Sequence, residues 1–174
     1  ITVISTCLRV LEMETGKQKW IDKAQAQTEK LTALVNALVT LSRMDEGVSP
    51  LKMEPFPLSE AVADTAEPFR DLAQSKGHAL VLDIAPELTY KGDEYAIRQL
   101  VSILLDNAVK YARADSPITL TLEKTRRGIA LRCRNGSDPI PEDTLAKLFD
   151  RFYRADPSRN AATGGFGIGL SIAR

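Results

Sequence analysis

Residues Gln99 to Ala112 read QLVSILLDNAVKYA, and the rest of the chain is organised around this stretch. Leu100, Ile103, Leu104, Ala108 and Tyr111 recur at three- and four-residue steps, the pattern of an amphipathic helix. Asn107 and Lys110 are three apart, on neighbouring turns of one face. That face joins a carboxamide oxygen, an ammonium and the Tyr111 ring. Oxygen ligands suit a hard cation such as Mg²⁺ shared with phosphates, and an ammonium is a point charge for phosphate. Taken alone, the same residues describe an ordinary half-exposed helix.

A second stretch shifts the balance. Thr163 to Arg174 read TGGFGIGLSIAR, with Gly165, Gly167 and Gly169 alternating before an apolar run that opens a helix. Glycines let a backbone approach a ligand closely, and a helix start presents free N–H groups to an anion. By itself a glycine-rich loop is a weak signal.

The 174 residues suffice for one medium domain, or a small one plus a helical element. The 23 basic residues balance 23 acidic ones and are interleaved with them, so nothing points to nucleic acid. Cys7 and Cys133 sit in apolar segments and read as small buried hydrophobes rather than a disulfide. No apolar run reaches the length of a membrane span, so this chain is not expected to cross a membrane itself, nor to carry a signal peptide.

In chain order, residues 1–14 form a helix with stripes Ile4, Leu8, Leu11 and Val3, Cys7, Val10. A polar loop follows, then a helix over about 19–44, where Ile21, Ala24, Thr28, Leu31, Val35, Leu38 and Ser42 keep a heptad spacing. This predicts a helical hairpin at 1–46 that pairs with a second copy. A linker at 47–56 is broken by Gly47, Pro50 and Pro55, with a short strand expected around Val48, Leu51 and Met53. The second domain, 57–174, opens with a helix over 59–75 capped by Ser59. Strands are expected at 79–84, 88–91, 117–124 and 128–134, the last two joined as a hairpin through Thr125 to Gly128. A polar turn at 135–141, a short helix at 142–152, a loop at 154–164 and a last helix complete it. The fold class is α+β: a helical hairpin, then an α/β sandwich whose antiparallel-rich sheet is covered on one face by helices.

Four motifs now resemble those of sensor histidine kinases, in that family's order and at about its spacing. ILLDNAVKY resembles the N-box, RNGSDPIPED at 134–143 the first glycine box, LFDRFYR at 148–154 the F-box and GFGIGL the second glycine box. The resemblance covers nearly the whole chain. It implies an ATP site with Asn107 as the Mg²⁺ ligand, Lys110 near the phosphates and Tyr111 against adenine or ribose. Gly165, Gly167, Gly169 and Leu170 would line the triphosphate, and Arg154 or Arg151 would contact phosphate or hold the lid at 155–164. Phe149, Phe152 and Tyr153 stand as the F-box aromatics, expected also to pack in the core.

Two departures matter. Asn135, Ser137 and Pro139 stand where the family commonly has an Asp and two glycines. Asn135 can still accept from the adenine amino group, more weakly than a carboxylate, with Ile140 as an apolar wall. Ile103 stands where the family often has a further Asn. The family's phosphoacceptor histidine is missing: the single histidine, His78, heads a strand and is expected at the surface or at the strand edge. The chain is therefore expected to bind ATP and Mg²⁺ without phosphorylating itself, as a fragment that also lacks the family's last two strands. The family's partners would be a second copy through the hairpin and the receiver domain of a response regulator. A membrane would be met only through parent segments outside the chain, which would place this portion in a bacterial cytoplasm. The rivals are a gyrase-, mismatch-repair- or chaperone-type ATPase, which would carry a Glu where Ile103 stands, and a non-catalytic nucleotide-binding dimer scaffold.

Overall fold

The computed structural model describes residues 1–15, 19–46, 51–153 and 167–173. Two helices begin it, α1 (Thr2–Thr15) and α2 (Lys19–Glu46). They pack side by side, and Gln25 Nε2 donates to Glu12 Oε2 across them at 3.0 Å. Ile21 and Thr28 are the buried residues of the heptad stripe, whereas Leu31, Val35 and Leu38 are exposed. The side chains of Leu41 and Ser42 lie outside the described residues. Cys7 is exposed, not buried as expected, because the Val3–Cys7–Val10 stripe faces away from α2 into solvent. Cys133 is half-buried, and burial pushes its thiol up to about 11.

Strand β1 (Glu54–Pro57) pairs antiparallel with β3 (Thr89–Gly92) as a two-stranded ribbon. The short strand expected on residues 48–53 thus lies further on, and part of the stretch read as linker is paired. One helix was expected over 59–75; two are present, α3 (Leu58–Ala66) and α4 (Phe69–Ser75). Pro68 separates them, because it has no N–H to continue the ladder and is tolerated only at a helix start. Ser59 is not a cap. It is buried inside the first turn of α3, where its hydroxyl donates to the Ala85 carbonyl (2.6 Å) and accepts from the Leu88 N–H (3.0 Å).

The main sheet has the order β2 (Leu80–Ile84), β4 (Ile118–Thr125), β5 (Gly128–Asn135). β4 and β5 form the expected hairpin, with Ile118 opposite Asn135 and Thr125 opposite Gly128. The β2–β4 pairing is parallel, Leu80 opposite Ile118, so the sheet is mixed rather than purely antiparallel. Helix α5 (Glu94–Tyr111) lies on it. Ile118, Leu120 and Leu122 of β4 meet Val101, Leu105, Ala108 and Val109 of α5 in one core. The inward stripe of α5 is therefore turned by about one residue from the expected one: Leu100, Ile103 and Leu104 are half-buried and Tyr111 is exposed. His78, expected at the surface or at a strand edge, stands just before β2 but is buried there, between α4 and β2, with Nδ1 unpartnered. Its backbone N–H donates to the Ala73 carbonyl, which draws the head of β2 under α4. Among the described residues, no helix is long and apolar enough to cross a membrane.

Asp93 caps α5. Its carboxylate accepts from the Ala96 N–H and the Lys52 N–H, each at 3.0 Å, and these bonds hold its carboxyl below the ordinary range. A lowered carboxylate stabilises the fold above the ordinary range, and that contribution fades as pH falls through the lowered value. The thermal-stability gap between wild type and Asp93→Ala should therefore be widest near neutral pH and shrink with acidification. Ser59→Ala should cost about 1–3 kcal/mol in denaturant unfolding, because it leaves the partly buried Leu88 N–H without its acceptor.

Candidate nucleotide site

Asn107 projects from α5 one turn beyond Ile103, and its Nδ2 donates to the Ile103 carbonyl at 2.9 Å. A carbonyl only accepts, so the amide nitrogen must face it and the carboxamide oxygen Oδ1 is left free of that bond. Helix α7 (Gly169–Ile172) starts against the same spot. A Cβ placed on Gly169 would lie 3.5 Å from Ile103 Cγ2 and 3.8 Å from Asn107 Nδ2. Gly169 is thus brought onto the Asn107 face of α5. Ile103 supplies an apolar contact for Gly169 there. Leu170 is half-buried on α7.

Gly167 is held by the F-box. The Phe152 N–H donates to the Gly167 carbonyl at 2.9 Å. Gly167 has φ +70°, and a Cβ on it would lie 2.6 Å from the Tyr153 carbonyl oxygen. Only glycine fits both constraints. Phe152 itself has φ +63°, a strained value for an aromatic residue, where it turns the chain to meet Gly167. The expected core packing of the F-box aromatics does not hold for Phe149 and Phe152, which are exposed because α6 (Glu142–Leu145) ends early and turns carry them outward; Tyr153 is half-buried.

Lys110 Nζ is paired with Asp106 Oδ2 at 2.6 Å. Tyr111 is 42% exposed at the end of α5. The turn after β5 is tied to that end, because the Arg113 N–H donates to the Gly136 carbonyl at 2.7 Å. Asn135 therefore sits close in structure to the loop that follows Lys110 and Tyr111. Its Nδ2 donates to the Gly136 carbonyl at 3.1 Å, which leaves Asn135 Oδ1 as an available acceptor type. Gly136 is the tightly fitted residue of this turn: a Cβ there would lie 2.8 Å from Ser116 Cβ. Ile140 is exposed on the same segment. Arg154 and Gly165 lie outside the described residues.

Sequence reasoning overlooked three residues: Asp106, Gly136 and Ser116. The Asp106–Lys110 spacing of four on a helix was a usable signal. The Gly136–Ser116 contact joins residues twenty positions apart and had none.

Residues 92–174 match the family described as histidine kinase-, DNA gyrase B-, and HSP90-like ATPase. The whole chain is 30% identical over 174 residues to the sensor protein DltS of Streptococcus agalactiae serotype V. This chain is similar to proteins named as sensor histidine kinases. It spans 44% of the length of DltS. Two solved histidine-kinase structures share its fold. The Acinetobacter baumannii histidine kinase AdeS superposes with TM-score 0.70 at 21% identity, over 99% of this chain and 80% of that one. Full-length ShkA in complex with AMPPNP gives TM-score 0.75 at 22% identity, over 97% of this chain and 36% of that one.

Within this chain, the stretches that resemble the N-box, F-box and second glycine box meet at two points: Gly169 on Asn107, and Gly167 on Phe152. Gly167→Ala should open the second. Amide hydrogen exchange at Phe152 is expected to speed up by about ten-fold or more, with protection in β4 unchanged.

Proposed function

We propose that this chain is the ATP-binding kinase portion of a two-component sensor, binding Mg·ATP at the junction of α5 and α7. The observation that carries the reading is Asn107. Its amide nitrogen is fixed on the Ile103 carbonyl and lies near Gly169, which leaves its oxygen free of that bond for a cation. A neutral oxygen ligand suits Mg²⁺, which binds few protein groups and shares itself with phosphates. The residues fit: Asn107 would hold the ion, Lys110 would contact phosphate, and the Gly165–Gly169 stretch with Leu170 would line the triphosphate. The metal supplies charge neutralisation on the phosphates when bound. Asn135 would accept from the adenine amino group, with Tyr111 and Ile140 as walls of the base pocket, and Arg154 would contact phosphate.

The reaction in this reading moves the γ-phosphoryl group of ATP to a histidine ring nitrogen: a P–N bond forms and the bond to ADP breaks. The phosphoryl group then passes to an aspartate of a response regulator. This chain supplies the nucleotide site and not the acceptor imidazole, since its single histidine, His78, is buried between α4 and β2. What supports a homodimer through residues 1–46 is the exposed apolar set on α1 and α2, including Val3, Leu31, Val35 and Leu38. The domain division 1–46, 47–56 and 57–174 and a cytoplasmic position beneath a membrane-bound parent belong to the same reading. A hydrolytic ATPase of the gyrase type is disfavoured, because Ile103 places an alkyl group against Gly169 where a carboxylate would be needed.

Calorimetric titration tests the reading. Mg·ATP should bind the wild-type chain, and Asn107→Ala or removal of magnesium should weaken binding by about ten-fold or more. No binding by a chain shown to be folded by circular dichroism would overturn it and favour the scaffold alternative.

A further inference from the structure

The Asp106–Lys110 pair bears on which form of the nucleotide the site accepts. Lys110 is the cation nearest in sequence to Asn107, and its ammonium is held at 2.6 Å by a carboxylate one turn back. Around α5 the two residues and Asn107 lie on adjacent lines, with Lys110 between the other two. A helical lysine directs its stem toward the preceding turn, so one ammonium serves either Asp106 or a group beside Asn107. Both members are partly exposed, Lys110 30% and Asp106 45%, so the pair is weak enough to be broken by a competing anion. The pair carries no net charge, and Asn107 is neutral.

We infer that Asp106 sets the magnesium requirement of nucleotide binding by neutralising Lys110, so that phosphates bind well only when they bring their own cation. The inference rests on the nucleotide site proposed above and adds a role for a residue that site does not use. With Asp106 in place, uncomplexed ATP, carrying about four negative charges, meets a carboxylate and a lysine already engaged. The magnesium complex carries about two and is penalised less. Removing the carboxylate should therefore help free ATP more than Mg·ATP, with the logarithm of the gain about twice as large, because the Coulomb term scales with ligand charge. At physiological salt, screening brings these gains to about four-fold for free ATP and two-fold for Mg·ATP, both growing as salt is lowered.

The test is calorimetric titration of ATP in EDTA and of Mg·ATP, with wild type, Asp106→Asn, Asp106→Glu, Lys110→Met and the double variant Asp106→Asn/Lys110→Met. The inference expects Asp106→Asn to narrow the ratio between the two affinities by about two-fold and Asp106→Glu to leave it near the wild-type value. In the Lys110→Met background, Asp106→Asn should have a smaller effect on that ratio. A carboxylate that merely stabilised α5 would change both affinities equally and leave the ratio fixed, and that result would overturn the inference. An unchanged or weakened affinity for free ATP in Asp106→Asn would overturn it as well, with the nucleotide reading intact. Absence of Mg·ATP binding by the folded wild-type chain would instead overturn the nucleotide reading, and this inference with it.

Discussion

The packing of α5 on β4 is the constraint from which the rest follows. Ile118, Leu120 and Leu122 project from one face of β4 and are almost fully buried, as are Val101 and Leu105 of the helix. Each such side chain is worth roughly 1.5–3 kcal/mol when removed from water. That contact fixes the rotation of α5 about its axis. Once Val101 and Leu105 point inward, Ile103 and Asn107 must lie on the far face of the helix rather than in the core. There they can meet Gly169. The apolar core and the polar site are two faces of one helix, and the core decides where the polar face points.

Close backbone approach is the second constraint. Gly167 and Gly169 bring the end of the chain onto the Phe152–Tyr153 turn and onto Asn107, in contacts that a side chain at Gly167 would block. The geometry leaves the Asn107 carboxamide held by its nitrogen end. A ligand group whose orientation is fixed beforehand does not lose that freedom on binding, which favours affinity at a small site. The strained φ of Phe152 sits at the same junction. Strain of this sort persists where the surrounding structure over-determines it.

Much of this was legible in the sequence, for local reasons. The long helix 94–111, the hairpin of β4 and β5 and the paired N-terminal helices are written in short-range periodicity and turn residues. The inward face of α5 was not, because two apolar stripes run side by side, Leu100–Ile103–Leu104 and Val101–Leu105–Ala108. Periodicity alone cannot choose between them; the β4 partner does. Pro68 was a visible break that the apolar pattern of 59–75 obscured. Ser59 looked like a cap by type, but its partners, Ala85 and Leu88, are 26 and 29 residues away. The same holds at the site. The motif residues could be named from order and spacing, while the contacts that bring them together join distant parts of the chain. Only the Asp106–Lys110 pair was both local and overlooked.

The central claim is that Asn107 and the start of α7 form one magnesium-dependent nucleotide site. Amide chemical-shift mapping of the ¹⁵N-labelled chain with Mg·AMPPNP reads this residue by residue. The account requires the largest shifts at the Asn107 side-chain amide and the backbone amides of Gly167, Gly169 and Leu170, and their collapse when EDTA replaces magnesium. Shifts confined to other surfaces, or shifts at these residues that ignore magnesium, would contradict it.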